Sequence, residues 1–246
     1  MQRNRVVAVV WKEWHELFRL DQGLRSVGLR VGAAAAVGVI LAWRAGATFG
    51  RDASTVLLLI KFTLLPTLPI TPDSFAGERE RHTLETLLAS PITEGEIFLG
   101  KFLAILAIGV GFTLFGCVSN IVAIAARYGF VTLTQLNPSV LATGIAMGLL
   151  IAAILVGLGM IMSVHVRTVR SANQISAYSL VALIFIGSAV SRSLPASFVS
   201  AVSRWNENTP LVVRLGGAIV LLSVFAIAIL FTGIATFNRR RLFEND

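Results

Sequence analysis

The chain has 246 residues, of which 55% are hydrophobic and only 14% charged, and its formal net charge is +8. Because a soluble domain has roughly 45–50% apolar and about 25% charged residues, this composition excludes a water-soluble globular protein. The basic residues are scattered at the ends of apolar stretches without interleaved aromatic side chains, so nucleic-acid binding is not expected.

Residues 5–20 carry apolar side chains at intervals near 3.6 residues. Trp11 and Trp14 fall on one side of the corresponding helix, and Lys12 and Glu13 fall on the other. This pattern predicts an amphipathic helix that lies flat in the membrane interface, in contact with lipid. The charges also interrupt the place where a cleaved signal peptide would have its apolar core, so we expect this segment to be retained.

Six apolar stretches reach or approach the length that a hydrocarbon layer of about 30 Å requires, and such stretches are forced to be helical in lipid. The alternating polarity of a membrane barrel is missing. The sequence therefore predicts an all-α polytopic membrane protein, one transmembrane domain over 1–246. Its six transmembrane helices are expected at 26–43, 53–72, 94–126, 138–164, 171–190 and 210–237.

Capping signals place several helix starts. Thr93 and Glu96 have the spacing of a capping box, Asn137-Pro138 reads as an N-cap with proline at the first helical position, and Ser171 opens the fifth helix. The third helix would be on the order of 50 Å long, more than the hydrocarbon layer. We therefore expect it to protrude, tilt or break, and the weakest points would be Gly109, Gly111 and Gly116.

Basic residues are more numerous in the segments on the side of the two termini than in those on the other side. The positive-inside rule then predicts that both termini are cytoplasmic, in a multi-pass protein of the cell membrane.

The most informative segment, 78–91, joins the second and third spans on the predicted cytoplasmic side. Four charges of alternating sign occupy 78–81, and Leu84, Leu87 and Leu88 follow at the spacing of one helical face. The pattern predicts a short amphipathic helix, which can rest on the membrane or dock into a groove of a soluble partner. An ordinary solvated loop is the alternative.

This segment resembles the signature of ABC-2-type permeases. The similar residues are Gly77-Glu78-Arg79-Glu80, Thr83-Leu84-Glu85, Leu87-Leu88-Ala89-Ser90-Pro91-Ile92, Glu96-Ile97 and Gly100-Lys101. The resemblance implies a cytoplasmic coupling helix that contacts a nucleotide-binding subunit. The residues that it assigns to this contact are Glu78, Arg79, Glu80, Arg81, Thr83, Leu84, Glu85, Leu87 and Leu88. His82 departs from the pattern, since relatives often have glycine or another small or polar residue there.

The resemblance also implies an assembly. Two permease chains would form the substrate pathway of an exporter together with two ABC ATP-binding subunits. A homodimer is expected, and a heterodimer with a second permease is the alternative. This chain would bind no cofactor, because ATP and Mg²⁺ would lie on the partner subunit.

The run from Gly95 to Lys101 comes within one residue of a phosphate-binding loop. However, Phe102 occupies the Ser/Thr position that would hold Mg²⁺, and no strand precedes the run. We therefore expect a membrane subunit without its own nucleotide-binding motif, and not an enzyme.

Two other classes of membrane protein are alternatives to the exporter subunit. A secondary transporter or channel driven by an ion gradient would need acidic or histidine relays inside its helices, and an intramembrane enzyme would need clustered catalytic groups. No predicted span has Asp or Glu in its middle. No metal site is expected, because His82, His15 and His165 lie in separate segments and Cys117 is the only cysteine.

Two features of the second span have open interpretations. Pro66, Pro69 and Pro72 recur every third residue and predict either a static kink or a hinge that transmits motion into the pathway. Lys61 lies well inside the same span, where it either lines the pathway or extends its ammonium toward the membrane surface.

Overall fold

The computed structural model describes residues 3–19, 36, 40, 49–50, 53–83, 90, 92–166, 168–175, 195, 197, 200 and 211–236. All regular structure in these residues is helical. The helices are α1 (Arg3–Arg19), α2 (Ala53–Ile70), α3 (Asp73–Glu80), α4 (Glu94–Tyr128), α5 (Pro138–His165) and α6 (Leu211–Thr236), with a 3-10 helix at Phe130–Gln135 between α4 and α5.

Four helical stretches in the described part of the chain are long and apolar enough to cross a membrane: Ser54–Glu80, Glu94–Tyr128, Pro138–Val164 and Leu215–Ala235. They coincide with the second, third, fourth and sixth predicted spans. The first predicted span, 26–43, lies outside the described residues except for positions 36 and 40, and of the fifth, 171–190, only 171–175 are described. The all-helical membrane architecture is confirmed for the described residues, which contain four of the six predicted spans.

Helix α2 is the central element, because it packs against both α4 and α5. Threonines one turn apart provide the close contact: Thr63 and Thr67 are fully buried, and each hydroxyl donates to the carbonyl four residues earlier at 3.0 Å. A Cβ atom at Gly109 of α4 would lie 2.8 Å from the Thr67 methyl group, and one at Gly148 of α5 would lie 2.6 Å from the Thr63 hydroxyl oxygen. Small residues therefore let the three helices approach closely.

Helix α4 is continuous from Glu94 to Tyr128, so of the three alternatives for this long helix, to protrude, to tilt or to break, the break does not occur. The glycines proposed as weak points serve packing instead: Gly109 and Gly116 face side chains of α2, while Gly111 faces open space. The capping box is present, with the Thr93 backbone N–H donating to the Glu96 Oε2 at 2.8 Å.

The other predicted helix starts are close to the observed ones. Asn137 caps α5, its Oδ1 accepting from the Ser139 backbone N–H at 3.0 Å. The helical residues after α5 begin earlier than predicted, because Thr168 acts as the cap: its hydroxyl oxygen accepts from the Ser171 N–H at 3.1 Å.

Helix α1 docks against the first turns of α4, where Val9 is buried and packs on Gly100. Its polar side turns toward the protein, since Lys12 and Glu13 both reach buried partners. The tryptophan side is open, and Trp11 is 64% exposed. An amphipathic helix with its apolar side outward is suited to lipid.

Candidate functional site

The start of the charged segment is helix α3, which follows α2 after a turn at Thr71-Pro72. The segment was expected to be helical from Glu78 onward, but the described helix runs from Asp73 to Glu80, and the leucines of the predicted amphipathic helix lie outside the described residues. Proline favours the start of a helix, and an acidic residue there complements the helix dipole. Five of the eight residues, from Ser74 to Glu78, are buried. These five residues, which we call the root of α3, are therefore part of the protein interior.

Ser163, near the end of α5, forms hydrogen bonds with the first residues of α3. Its Oγ accepts from the backbone N–H groups of Phe75 and Ala76 at 3.2 and 3.0 Å, and its hydroxyl donates to the Pro72 carbonyl at 2.8 Å. The first N–H groups of a helix lack partners within the helix, so a side chain from another helix satisfies them here. This contact fixes α3 to the end of α5.

A charge cluster of Lys12, Glu13, Glu78 and Lys101, of which Glu78 and Lys101 are buried while Lys12 and Glu13 are partly exposed, joins α1, α3 and α4. The Lys101 Nζ donates to the Glu13 and Glu78 carboxylates at 2.7 and 2.8 Å, and the Lys12 Nζ donates to the same Glu78 oxygen at 3.0 Å. Lys101 is 1% exposed and Glu78 is 3% exposed. Two cations and two anions balance, which is the condition under which such charges can be buried.

The cluster has two further contacts at its edges. The Lys101 ammonium lies 5.5 Å from the centroid of the Phe75 ring, within the range of a cation–π interaction. The second oxygen of Glu78, Oε2, is buried without a hydrogen bond to the protein. Glu78 therefore holds both lysines through one oxygen atom.

Arg79 and Glu80 connect α3 with the end of α5 and the residues that follow it. The guanidinium of Arg79 donates to the carbonyls of Val166 and Val164 at 2.6 and 3.0 Å, and thus caps the C-terminus of α5. The Glu80 carboxylate accepts from the Val169 backbone N–H at 2.8 Å. These two side chains span the break between α5 and the next helical residues.

The tip of α3, which we define as Arg81, His82 and Thr83, is the exposed end of the segment. His82 adopts a left-handed conformation with φ 55°. The Thr83 N–H then donates to the Glu78 carbonyl at 2.9 Å and the His82 N–H to the Arg79 carbonyl at 3.1 Å, the bonds of a Schellman motif. The Arg81 guanidinium pairs with Asp73 at 3.1 Å, but its side chain stays 55% exposed.

The residues predicted to contact a partner thus divide into three groups. Glu78 and Arg79 bind within the chain, and burial removes Glu78 from any direct contact. Glu80 is exposed but bonded to Val169. Arg81 and Thr83 remain available at the surface, and Leu84, Glu85, Leu87 and Leu88 lie outside the described residues.

The residues predicted for the second span are also located. Pro66 and Pro69 lie inside α2, Pro66 buried and Pro69 exposed, and Pro72 is buried directly before α3. Lys61 is exposed on α2. It lies in the middle of that helix and far along the chain from the α3 tip.

Sequence reasoning did not assign a role to Lys12, Glu13 or Ser163 at this site, and it treated Lys101 only as part of a signature. The sequence did contain an indication of this site, because Lys101 lies seven residues inside a predicted spanning helix and a charge there usually has an acidic partner. The adjacent charges of α1 are the candidates, but they lie 88 positions away from Lys101 along the chain. Only the packing of α1 on α4 identifies them.

Comparisons with known proteins agree with this architecture. The family described as ABC-2 family transporter protein matches residues 33–240, which is most of the chain. The ABC transporter permease protein NatB of Bacillus subtilis (strain 168) is 32% identical over 62 residues. That match covers 25% of this chain and 16% of the relative, so it concerns a short part of the relative's length. On the family match over most of its length, the chain belongs to the ABC-2 family of transporter proteins.

Proposed function

We propose that this chain is the permease subunit of an ATP-binding cassette exporter, in which it forms the substrate pathway and couples to a separate ATPase subunit. The observation that carries the proposal is the construction of α3: its root is bonded to three helices, and its tip is exposed. A relative named as an ABC transporter permease supports the same class of function.

The coupling begins at the α3 tip. An ATPase subunit that binds Arg81, His82 and Thr83 would move α3 as a unit, because the Schellman motif ties the tip to Glu78 and Arg79. Glu78 then acts inside the protein, and not as a direct contact. We therefore propose that the contact with the ATPase subunit consists of the exposed residues of the α3 tip, together with the segment 84–89 that follows them.

Two routes would carry this movement into the membrane. The first runs through Arg79 and Ser163 to the end of α5, and the second runs through Glu78 and Lys101 to α4. Both helices pack on α2, so a tilt of α3 reaches the central helix from two sides. Buried, charge-assisted bonds are suited to this task because they hold one geometry.

The prolines of α2 fit a hinge in the same scheme. Proline lacks a backbone N–H, so the carbonyl four residues earlier loses its helical partner. Thr67 and Thr71, which lie among the three prolines, donate from their hydroxyls to carbonyls of their own helix. We propose that the chain bends at Pro66 and Pro69 of α2 and at Pro72, directly before α3, when α3 moves.

The assembly follows the same proposal. Two permease chains, identical or paired with a second permease, would combine with two ABC ATP-binding subunits. ATP and Mg²⁺ would bind only to those subunits, and their closure would shift the permease between inward and outward states. Both termini and the α3 tip would be cytoplasmic, and α1 would rest in the membrane interface through Trp11 and Trp14.

The test is purification of the tagged chain from its native membranes, followed by photolabelling with azido-ATP and measurement of ATP hydrolysis. The wild-type chain should copurify with an ATP-binding polypeptide. We expect Arg81→Glu to reduce that copurification at least about tenfold, since a charge reversal at a desolvated contact costs 1.4 kcal/mol or more.

Two control variants separate the contact from stability. Asp73→Asn removes the ion pair of Arg81 without altering the tip, and Arg127→Glu reverses a charge near the opposite end of α4. Both should retain the ATP-binding polypeptide. The proposal fails if the wild-type chain brings down no such polypeptide, or if Arg81→Glu retains it as well as the controls do.

A further inference from the structure

The exposed side of α2 carries a single charge. Leu57, Lys61, Leu65 and Pro69 follow one another at intervals of four residues, and all four are exposed. Thr63, Thr67 and Phe62 on the other sides of this helix are buried. The helix that is most enclosed by the described part of the protein therefore presents one open stripe, which is apolar on both sides of an ammonium group.

Lys61 lies near the middle of α2, eight residues after Ala53 and nine before Ile70. At 1.5 Å per residue, either end of the helix is about 12 Å or more away. The stem of a lysine has four carbons, so the ammonium can approach the membrane surface but not reach it from this depth. An unpaired charge inside a membrane helix is energetically costly, and such residues commonly mark a substrate or ion pathway.

No group among the residues that the structure describes offsets that charge. Within the described residues, Lys61 has no hydrogen bond or ion pair. The six predicted spans contain only two acidic residues, Glu94 and Glu96, and both lie at the very start of α4. Neither the described residues nor the sequences of the predicted spans supply an anion for Lys61, which leaves this position open to an anion from outside the chain.

The comparison with Lys101 strengthens this conclusion. Lys101 also lies inside a spanning helix, but it is buried and bonded to the carboxylates of Glu13 and Glu78. The chain has three lysines, and the other two belong to this balanced cluster. The two lysines of the charge cluster have acidic partners within the chain, whereas the described part of the chain places none beside Lys61.

We propose that Lys61 binds the anionic group of an amphipathic substrate, whose apolar part lies along Leu57 and Leu65. This inference rests on the proposed role of the chain as a permease, and it adds the substrate class: an apolar body with a carboxylate, phosphate or sulfate. The lysine ammonium would bind the anionic headgroup of the substrate, and the flanking leucines would contact its apolar chain.

The experiment uses the intact chain in phosphatidylcholine nanodiscs, without nucleotide. The probes are a diazirine-bearing palmitic acid and its methyl ester, which differ only in the anionic group. After illumination, mass spectrometry measures how much of each probe is attached to peptides of α2. We expect the acid to label at least about tenfold more than the ester, because a hydrogen bond between charged groups contributes about 1.5–3 kcal/mol.

Variants identify the charge that is responsible. Lys61→Met should lower labelling by the acid to the level of the ester, and Lys61→Arg should retain it. In the Lys61→Met background, Leu65→Lys should restore labelling because it lies on the same stripe one turn away. Leu103→Lys, at an exposed apolar position of α4, should not restore it.

Three results would overturn the inference: equal labelling by acid and ester, unchanged labelling of Lys61→Met, or equal rescue by Leu65→Lys and Leu103→Lys. The first two would mean that Lys61 selects no anionic ligand, and the third that a lysine at any exposed apolar position attracts the acid. Because the measurement needs no ATPase, its failure is separate from failure of the proposed function. Copurification of an ATP-binding polypeptide without selective labelling refutes only the substrate class.

Discussion

His82 shows how one residue can hold a helix end under strain. Its φ of 55° lies in the left-handed region, where a side chain costs roughly 1–2 kcal/mol and where helices commonly place glycine. The departure expected from the resemblance, histidine in place of glycine or another small or polar residue, therefore falls on a residue whose backbone conformation favours glycine. The Schellman bonds of the tip compensate for this strain.

We expect His82→Gly to stabilise the folded chain by about 1 kcal/mol, because it removes the steric cost at the left-handed position. The measurement is the thermal unfolding midpoint of the purified chain in a mild detergent. His82→Ala is the control, since it removes the imidazole but keeps the Cβ atom. A stabilisation by alanine equal to that by glycine would assign the effect to the ring and contradict the backbone explanation.

For Lys101 in the charge cluster we predict that substitution destabilises the chain, in contrast to His82→Gly. Lys101→Met leaves Glu13 and Glu78 with Lys12 as their only cation in the cluster, and removal of one partner from a buried ion pair typically costs about 3–5 kcal/mol. We expect a large fall in the unfolding midpoint. Arg81→Gln, which breaks an exposed pair, should change the free energy of unfolding by less than about 1 kcal/mol.

A rescue variant checks the cause of the Lys101 effect. Adding Glu13→Gln and Glu78→Gln to Lys101→Met neutralises both carboxylates and should recover part of the lost stability, since couplings within one charge network are not additive. If the triple variant is less stable than Lys101→Met by the sum of the separate effects, the buried charges do not interact as described.

Residue roles were therefore only partly predictable from the sequence. Alternating charges at 78–81 indicated a polar surface segment, and for Arg81 this is what the structure has. For Glu78 the same pattern led to a surface assignment, because its lysine partners lie 23 and 66 positions away and no local pattern reveals them. The identity of a buried ion pair depends on packing between helices.

Among the helices, those with local start signals were predicted closely. The capping box at Thr93 and the Asn137-Pro138 pair gave the starts of α4 and α5, since capping depends on residues within one turn. Helix α3 was harder to locate, because Ser163 of α5 satisfies its first N–H groups. The continuity of α4 also depends on neighbours, as α2 fills the space beside its glycines.

The hinge of α2 yields a prediction at this scale. Pro69→Ala restores a backbone N–H that can bond to the Leu65 carbonyl, and it should straighten and stiffen the helix. We expect transport to fall more than the amount of folded chain in the membrane. The comparison needs a transport assay and a size-exclusion profile of the same preparation. Equal losses of both quantities would mean that Pro69 only maintains the fold.

At the scale of the whole molecule, composition and helix length were enough to predict an all-helical membrane protein. The assembly could not be derived in the same way, because subunit contacts depend on surfaces that a single chain leaves unpaired. The α3 tip is such a surface, placed at the end of an element whose other residues are bonded to α1, α4 and α5. If an ATPase subunit binds there, as we propose, its movement would reach helices inside the membrane through these bonds.

The measurement that tests this account most directly is crosslinking from the α3 tip in native membranes. Cys117 is buried and can be replaced by serine, after which His82→Cys and Tyr128→Cys place one thiol at the tip or at the far end of α4. With a short maleimide crosslinker, we predict an adduct between the permease and an ATP-binding subunit from position 82 and none from position 128. An adduct from position 128 alone, or equal adducts from both positions, would contradict the account.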